Sequence, residues 1–168
     1  EFQANEYLAM IELERGAIAA AKDYCSALLE LGAKLRDGSE RPFAQAFDAL
    51  CHYALADDTG PLDLALEALR TADAKHRLAY TLTRAALIDL DRQRPAKAFL
   101  RGSEALAYAE ALDRPSEMLL AHVALARARR ATDDIAGFEH HRAALTRLAG
   151  SPVAGWALER ATSLLARS

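Results

Sequence analysis

Alanine and leucine dominate this chain: 39 Ala and 27 Leu stand against 2 Val and 4 Ile. Ala and Leu are strong helix formers, whereas strands are built from β-branched and aromatic side chains. The imbalance closes off an all-β or parallel α/β fold. Hydrophobic residues make up 52% and charged residues 27% of the 168 positions. That balance can bury a core and is not the balance of a disordered tail. The length fits one domain over residues 1–168. With only 5 Pro and 8 Gly, breakers punctuate the chain rather than fill long loops.

Those breakers predict nine helices. The first runs from about Ala4 to Glu14 and stops at Gly16. The second, Ala17 to Leu35, carries Ile18, Ala21, Cys25, Leu28 and Leu35 on one stripe. Ser39 suits the N-cap of a third helix reaching about Ala56, and Asp57-Asp58-Thr59-Gly60-Pro61 stops it and starts a short fourth. The fifth, Lys75 to Leu90, presents Leu78, Leu82, Ala85 and Ala86. Pro95 begins a sixth with the small-residue stripe Ala98, Gly102, Ala105 and Ala109, which lets a neighbour approach closely. Asp113-Arg114-Pro115-Ser116 leads into a seventh ending near Ala131. Asp133 and Asp134 are cap candidates for an eighth with Ile135, Phe138, Leu145 and Leu148 on its inner face. Ser151-Pro152 offers a cap and first-turn proline for a ninth. There Val153, Trp156, Ala157, Leu164 and Leu165 form the inner side, and Trp156 anchors the helix on the one before it.

The helices fall into pairs that repeat. Turns near Gly16, Gly60, Arg94 and Asp133 are each followed by a similar phrase with Ala a few positions on, as in Ile18-Ala19-Ala20-Ala21 and Pro95-Ala96-Lys97-Ala98. A pair cannot bury its apolar stripe alone, so pairs stack, and a leftover ninth helix caps the open end. The predicted fold is an all-α, right-handed superhelix of about four antiparallel helix pairs plus a C-terminal cap.

In the first pair, Leu8, Ala9, Gly16, Ala21, Cys25 and Leu28 resemble the pattern of tetratricopeptide-repeat proteins. The third pair departs from it, with Arg94-Pro95 where Gly-Asp is usual, and the period runs beyond the family's 34 residues. The phrases Asp37-Gly38-Ser39-Glu40-Arg41-Pro42-Phe43-Ala44 and Asp113-Arg114-Pro115-Ser116-Glu117 look like inter-repeat turns in the helical-repeat regions of large bacterial multidomain regulators. In those regulators an ATPase module precedes the repeats, and a LuxR-type DNA-binding module or a nucleotide cyclase is attached. The resemblance implies a repeat that binds a protein segment, a neighbouring domain of its own parent chain, or a small inducer. It implies a cytoplasmic setting. The chain begins without Met, at Glu1-Phe2-Gln3, and reads as a piece excised from a longer protein.

The net charge of −3 argues against direct nucleic-acid contact. Residues 1–70 hold 6 basic and 13 acidic side chains, and residues 71–168 hold 15 and 11. A bound segment would meet acidic groups near the first pairs and basic groups near the last. Cys25 and Cys51 form no disulfide framework and read as buried thiols. No apolar run approaches the ~20 residues of a membrane span, and there is no signal peptide.

Chemistry-bearing motifs are missing. There is no G-x-G-x-x-G, no G-x-x-x-x-G-K-[ST] and no G-x-S-x-G. His52, His76, His122, His140 and His141 include no i, i+4 metal pair, and His141 reads as a half-buried core residue. Glu12, Glu14, Asp57, Asp58, Asp133 and Asp134 lie at helix ends, where capping and the helix dipole explain them. Arg127, Arg129 and Arg130 suit a helix C-terminus in the same way, more simply than an anion site does. Tyr24, Tyr53, Tyr80 and Tyr108 read as packing residues with a hydroxyl at the surface.

No catalytic residue, metal or cofactor is therefore expected. The expected function is a non-catalytic interaction module whose concave face is lined by the first helix of each pair. Its contact residues are Gln45, Asp48, His52, Arg77, Thr81, Arg84, His122 and Arg129. The alternative is an inducer sensor with a pocket between repeats, flanked by Tyr53 and Tyr80. Self-association stays open.

Overall fold

The computed structural model describes residues 1–35, 38–56 and 58–166. Among them there are nine helices and no strand: α1 (Phe2–Glu14), α2 (Ile18–Lys34), α3 (Glu40–Ala56), α4 (Gly60–Thr71), α5 (Lys75–Asp91), α6 (Pro95–Ala111), α7 (Pro115–Arg130), α8 (Ile135–Ala149) and α9 (Gly155–Ala166). None is long and apolar enough to cross a membrane. Of the breaker phrases read above, Asp37 and Asp57 lie outside the described residues.

The chain divides into two compact units, Glu1–Arg77 and Leu78–Ser168. In the first, consecutive helices pack in order: α1 on α2, α2 on α3, and α3 on α4. The α1 stripe is Phe2, Glu6, Ala9 and Leu13. The α2 stripe is Ala21, Cys25, Leu28 and Gly32, not the predicted continuation to Leu35, which lies beyond the helix and is exposed. Gly32 is there because α3 starts against it: a Cβ at this position would meet Arg41 Cα at 3.0 Å. The α3 helix is the centre of this unit, with Phe43, Phe47, Leu50 and Tyr53 fully buried.

In the second unit α7 is central, with α6, α8 and α9 packed around it. It is buried on most of its circumference from Leu119 to Ala126, as a helix with neighbours on several sides must be. The predicted small-residue stripe of α6 is buried throughout and faces α7.

The ninth helix corrects two expectations. It starts at Gly155, not at Ser151-Pro152, because residues 151–154 form a turn: Val153 N–H donates to Ser151 O at 2.7 Å and Ala154 N–H to Ser116 Oγ at 3.0 Å. It packs on α7 through Ala157, Ala161 and Leu164 at i, i+4 and i+7, in a core that Leu145 of α8 also enters. That register places Trp156 beside the contact face, and it is 45% exposed. Trp156 is no buried anchor.

The helices α4 to α7 end in one way. Asp73, Gln93, Asp113 and Asp133 have φ of 49°, 58°, 47° and 55°, one left-handed residue every 20 positions. After each, the next N–H reaches five residues back: Ala74 to Leu69 O, Arg94 to Asp89 O, Arg114 to Ala109 O and Asp134 to Arg129 O, at 2.8–3.2 Å. Gly16 (φ 79°) and Ala17 close α1 identically, onto Glu12 O at 2.9 Å. This is the Schellman closure, which pairs the last carbonyls of a helix within the turn itself. Pro95 and Pro115 then take first-turn positions, where no helical N–H is needed.

Candidate functional site

The eight predicted contact residues do not share one surface. Gln45, Asp48 and His52 come together. They lie one helical turn apart on α3 and, with Leu29 of α2, Asp58, and Pro61, Leu64, Ala65 and Ala68 of α4, they line an open groove of about 580 Å³. The groove belongs wholly to the first unit. Its floor is apolar, with Ala49 and Ala65 buried beneath it, while Leu64 stands up at its edge, 77% exposed. The polar edge is Gln45, Asp48, His52 and Asp58, and among the described residues no Lys or Arg lines it. His52 Nε2 sits 3.6 Å from Asp48 Oδ2, an i, i+4 pair, and Asp58 Oδ1 accepts from Gly60 N–H at the start of α4.

Arg77 is part of a structural knot. Its Nε and Nη2 donate to the two carboxylate oxygens of Glu6 at 3.1 and 2.9 Å, and its Nη1 donates to Ser39 Oγ at 2.6 Å and lies 3.4 Å from Glu40. The guanidinium also lies 5.5 Å from the Phe2 ring centre and 5.1 Å from that of Phe43. Burial opposes the charge, but the Glu6 and Glu40 carboxylates outweigh it and hold the Arg77 pKa above its ordinary value.

Thr81, Arg84 and His122 are interior residues, which corrects the expectation that they line an open face. Arg84 donates to Glu117 of α7 and stacks 3.9 Å over the Tyr80 ring. Nearby, Arg101 of α6 donates to fully buried Asp89 of α5 at 2.7 Å. These pairs join helix to helix and satisfy each other's charge, as buried charges must.

His122 and His141 meet across α7 and α8, Nδ1 to Nδ1 at 3.0 Å, both buried. One ring must donate and the other accept, so the accepting ring at least is neutral, with its proton on Nε2. Burial, and then the neighbouring histidines, lower the His122 pKa to about 4; burial and His140 lower that of His141 as well. His141 is more deeply buried than its sequence context predicts. Arg129 stacks 3.9 Å over Phe99 and pairs with Asp134 at 3.0 Å. With Phe99, Ser103, Glu110, His140 and His141 it lines a smaller cavity of about 310 Å³ between α6, α7 and α8. The other two cations closing α7 are also engaged: Arg127 donates to Asp91 at 3.0 Å, and Arg130 lies 5.9 Å from the Phe138 ring centre.

Tyr53 and Tyr80, expected to flank a pocket, are both buried. Cys25 and Cys51 are buried too; the Cys25 pKa is raised, first by its hydrogen bond with Cys51 and then by burial. Among the described residues no group of three or more His, Cys, Asp or Glu is placed to hold a metal ion. Comparison with protein-family models, with curated proteins and with solved structures finds no match to this chain.

Sequence reasoning missed Glu6, Asp89, Arg101 and Glu117 as interior charges. A signal was present for two of them. Glu6 interrupts the stripe Phe2, Ala9, Leu13, and Arg101 sits beside Gly102 on the stripe of small residues.

Proposed function

We propose that this chain is a non-catalytic interaction module, a helical repeat of the tetratricopeptide-like kind that serves a bacterial signalling or transcription regulator in the cytoplasm. The observation that carries this reading is the groove on α3 and α4. It gathers three of the predicted contact residues, Gln45, Asp48 and His52, on an open surface with an apolar floor. Buried charges elsewhere act as struts between helices, which supports a role in which a rigid scaffold presents a surface. The occupant would be a protein segment or a neighbouring domain of the parent chain. A photo-crosslinking side chain placed at position 45 tests this in the cell of origin. The expected result is a covalent adduct with a polypeptide whose sequence mass spectrometry reads. Failure to capture any polypeptide removes the reading.

A second reading, an inducer sensor, is favoured by the cavity between α6, α7 and α8, where an aromatic ring, a cation and two imidazoles converge. A small ligand at 100 times its Kd would add about 2.7 kcal/mol of stability. A metabolite panel that leaves the melting temperature unchanged would remove it.

A further inference from the structure

We infer that the groove on α3 and α4 takes an amphipathic helix whose apolar face is flanked by Lys or Arg; this rests on the interaction-module reading above. Three observations on the first unit carry it.

The first is shape. From Gln45 to Ala56 the groove follows twelve residues of α3, about 16 Å of helix axis. That is about three turns, enough to hold anchors at i, i+4 and i+7 on a partner helix, which span about two turns. The second is the absence of a strand among the described residues. No sheet edge is offered there for an extended segment to join by strand addition, whereas a helix satisfies its own backbone and needs only an apolar trough. Leu29, Ala49, Ala56, Pro61, Leu64 and Ala68 supply that trough. Leu64 in particular exposes 77% of its surface, with its flank left for a partner to cover.

The third observation is charge. The edge of the groove offers Asp48 and Asp58, with Gln45 and His52 beside them, and among the described residues that line it there is no Lys or Arg. The surrounding sequence repeats the sign, since residues 1–70 carry 13 acidic against 6 basic side chains. An acidic helix would meet the like charge of Asp48 and Asp58 at the edge, whereas a basic one pairs with them and is steered toward them.

The test uses two synthetic helical peptides of about 14 residues with Leu at i, i+4 and i+7. One is flanked by Lys and Arg, its twin by Glu at the same positions. Fluorescence anisotropy at low and high salt measures affinity, and amide chemical shifts of the intact chain locate the site. The basic peptide is expected to bind, to shift the amides of Ala49, His52 and Leu64, and to lose roughly five- to tenfold in affinity on adding salt. The double variant Asp48→Asn with Asp58→Asn should lose a similar factor. Leu64→Asp should abolish binding, with an unchanged thermal melt confirming that the exposed site leaves the fold intact. If the acidic twin binds equally, or the double variant binds as tightly as the parent, the inference is overturned while the groove remains an interaction surface. If neither peptide shifts the groove amides but position 45 still crosslinks to a polypeptide, the occupant is of another chemistry and the inference is again overturned. If position 45 captures nothing and neither peptide binds, the inference and the reading beneath it fall together.

Discussion

The histidine pair of α7 and α8 is the residue-scale feature with the clearest consequence in solution. His122 is neutral when folded, its pKa lowered to about 4 by burial and by the histidines beside it, against about 6.5 in an unfolded chain. Between those values the unfolded state binds the extra proton, so stability rises with pH across the window. It is complete above about pH 6.5 and falls as the solution is acidified. For His122 alone the loss is about 2 kcal/mol by pH 5 and about 3 kcal/mol by pH 4. Urea midpoints at pH 7 and pH 5 check this against His122→Asn, whose stability should change far less over the same interval. An identical pH dependence in the two proteins would show that other groups are responsible. The sequence alone did not reveal the pair. His122 and His141 lie 19 positions apart, on helices whose mutual rotation no local pattern encodes. The same holds for Glu6 and Arg77, 71 positions apart. A charged residue in an apolar stripe marks where a buried pair begins but not where it ends. By contrast, Gln45, Asp48 and His52 come together because they share one face of one helix, and helical spacing does encode that.

At the scale of elements, the small-residue stripe of α6 was legible because close packing leaves a direct trace in residue size. Gly102 faces Leu125 of α7. A Cβ added there would lie 3.2 Å from Leu125 Cδ2 and 3.3 Å from Cγ, before any larger side chain is considered. Gly102→Leu should therefore destabilise the fold by about 1–3 kcal/mol through overpacking, less up to about 1 kcal/mol regained in helix propensity. Thermal or urea unfolding reads the difference, and an unchanged midpoint would mean that α7 can yield at this contact. Helix boundaries at turn phrases containing Gly, Asp or Pro were also legible. The start of α9 was not, since Ser151-Pro152 has the chemistry of a helix start. The chain there instead spends its backbone donors on the Ser151 carbonyl and on Ser116 of α7, a long-range contact that outcompetes the local preference.

At the scale of the whole molecule, the all-α class followed from the Ala and Leu content, and the placement of α9 bears on solubility. Ala157, Ala161 and Leu164 share a core with Leu119, Leu120 and Val123 of α7. Truncation after Gly150 uncovers those α7 side chains, and an apolar patch of that kind drives association. The truncated chain is expected to oligomerise, measured by sedimentation, while the full chain runs at a smaller size. A truncated chain that stays the size of the parent protomer would mean that α9 does not protect this core. Native tryptophan emission should lie between buried and solvent-like wavelengths, in keeping with a half-exposed Trp156.

The left-handed residues at 73, 93, 113 and 133 also bear on how such a chain can grow or shrink. Each closure is made within its own turn, so a helix and its turn can be copied or deleted without redesign of the turns on either side. Direction is the constraint. A short turn reverses the chain, so removing one 20-residue module would make every later helix run the opposite way and present its core face to the wrong neighbour. Removing two restores the direction. The viable step in chain length is thus a block of about forty residues, and natural length variants of this segment should differ by whole multiples of it.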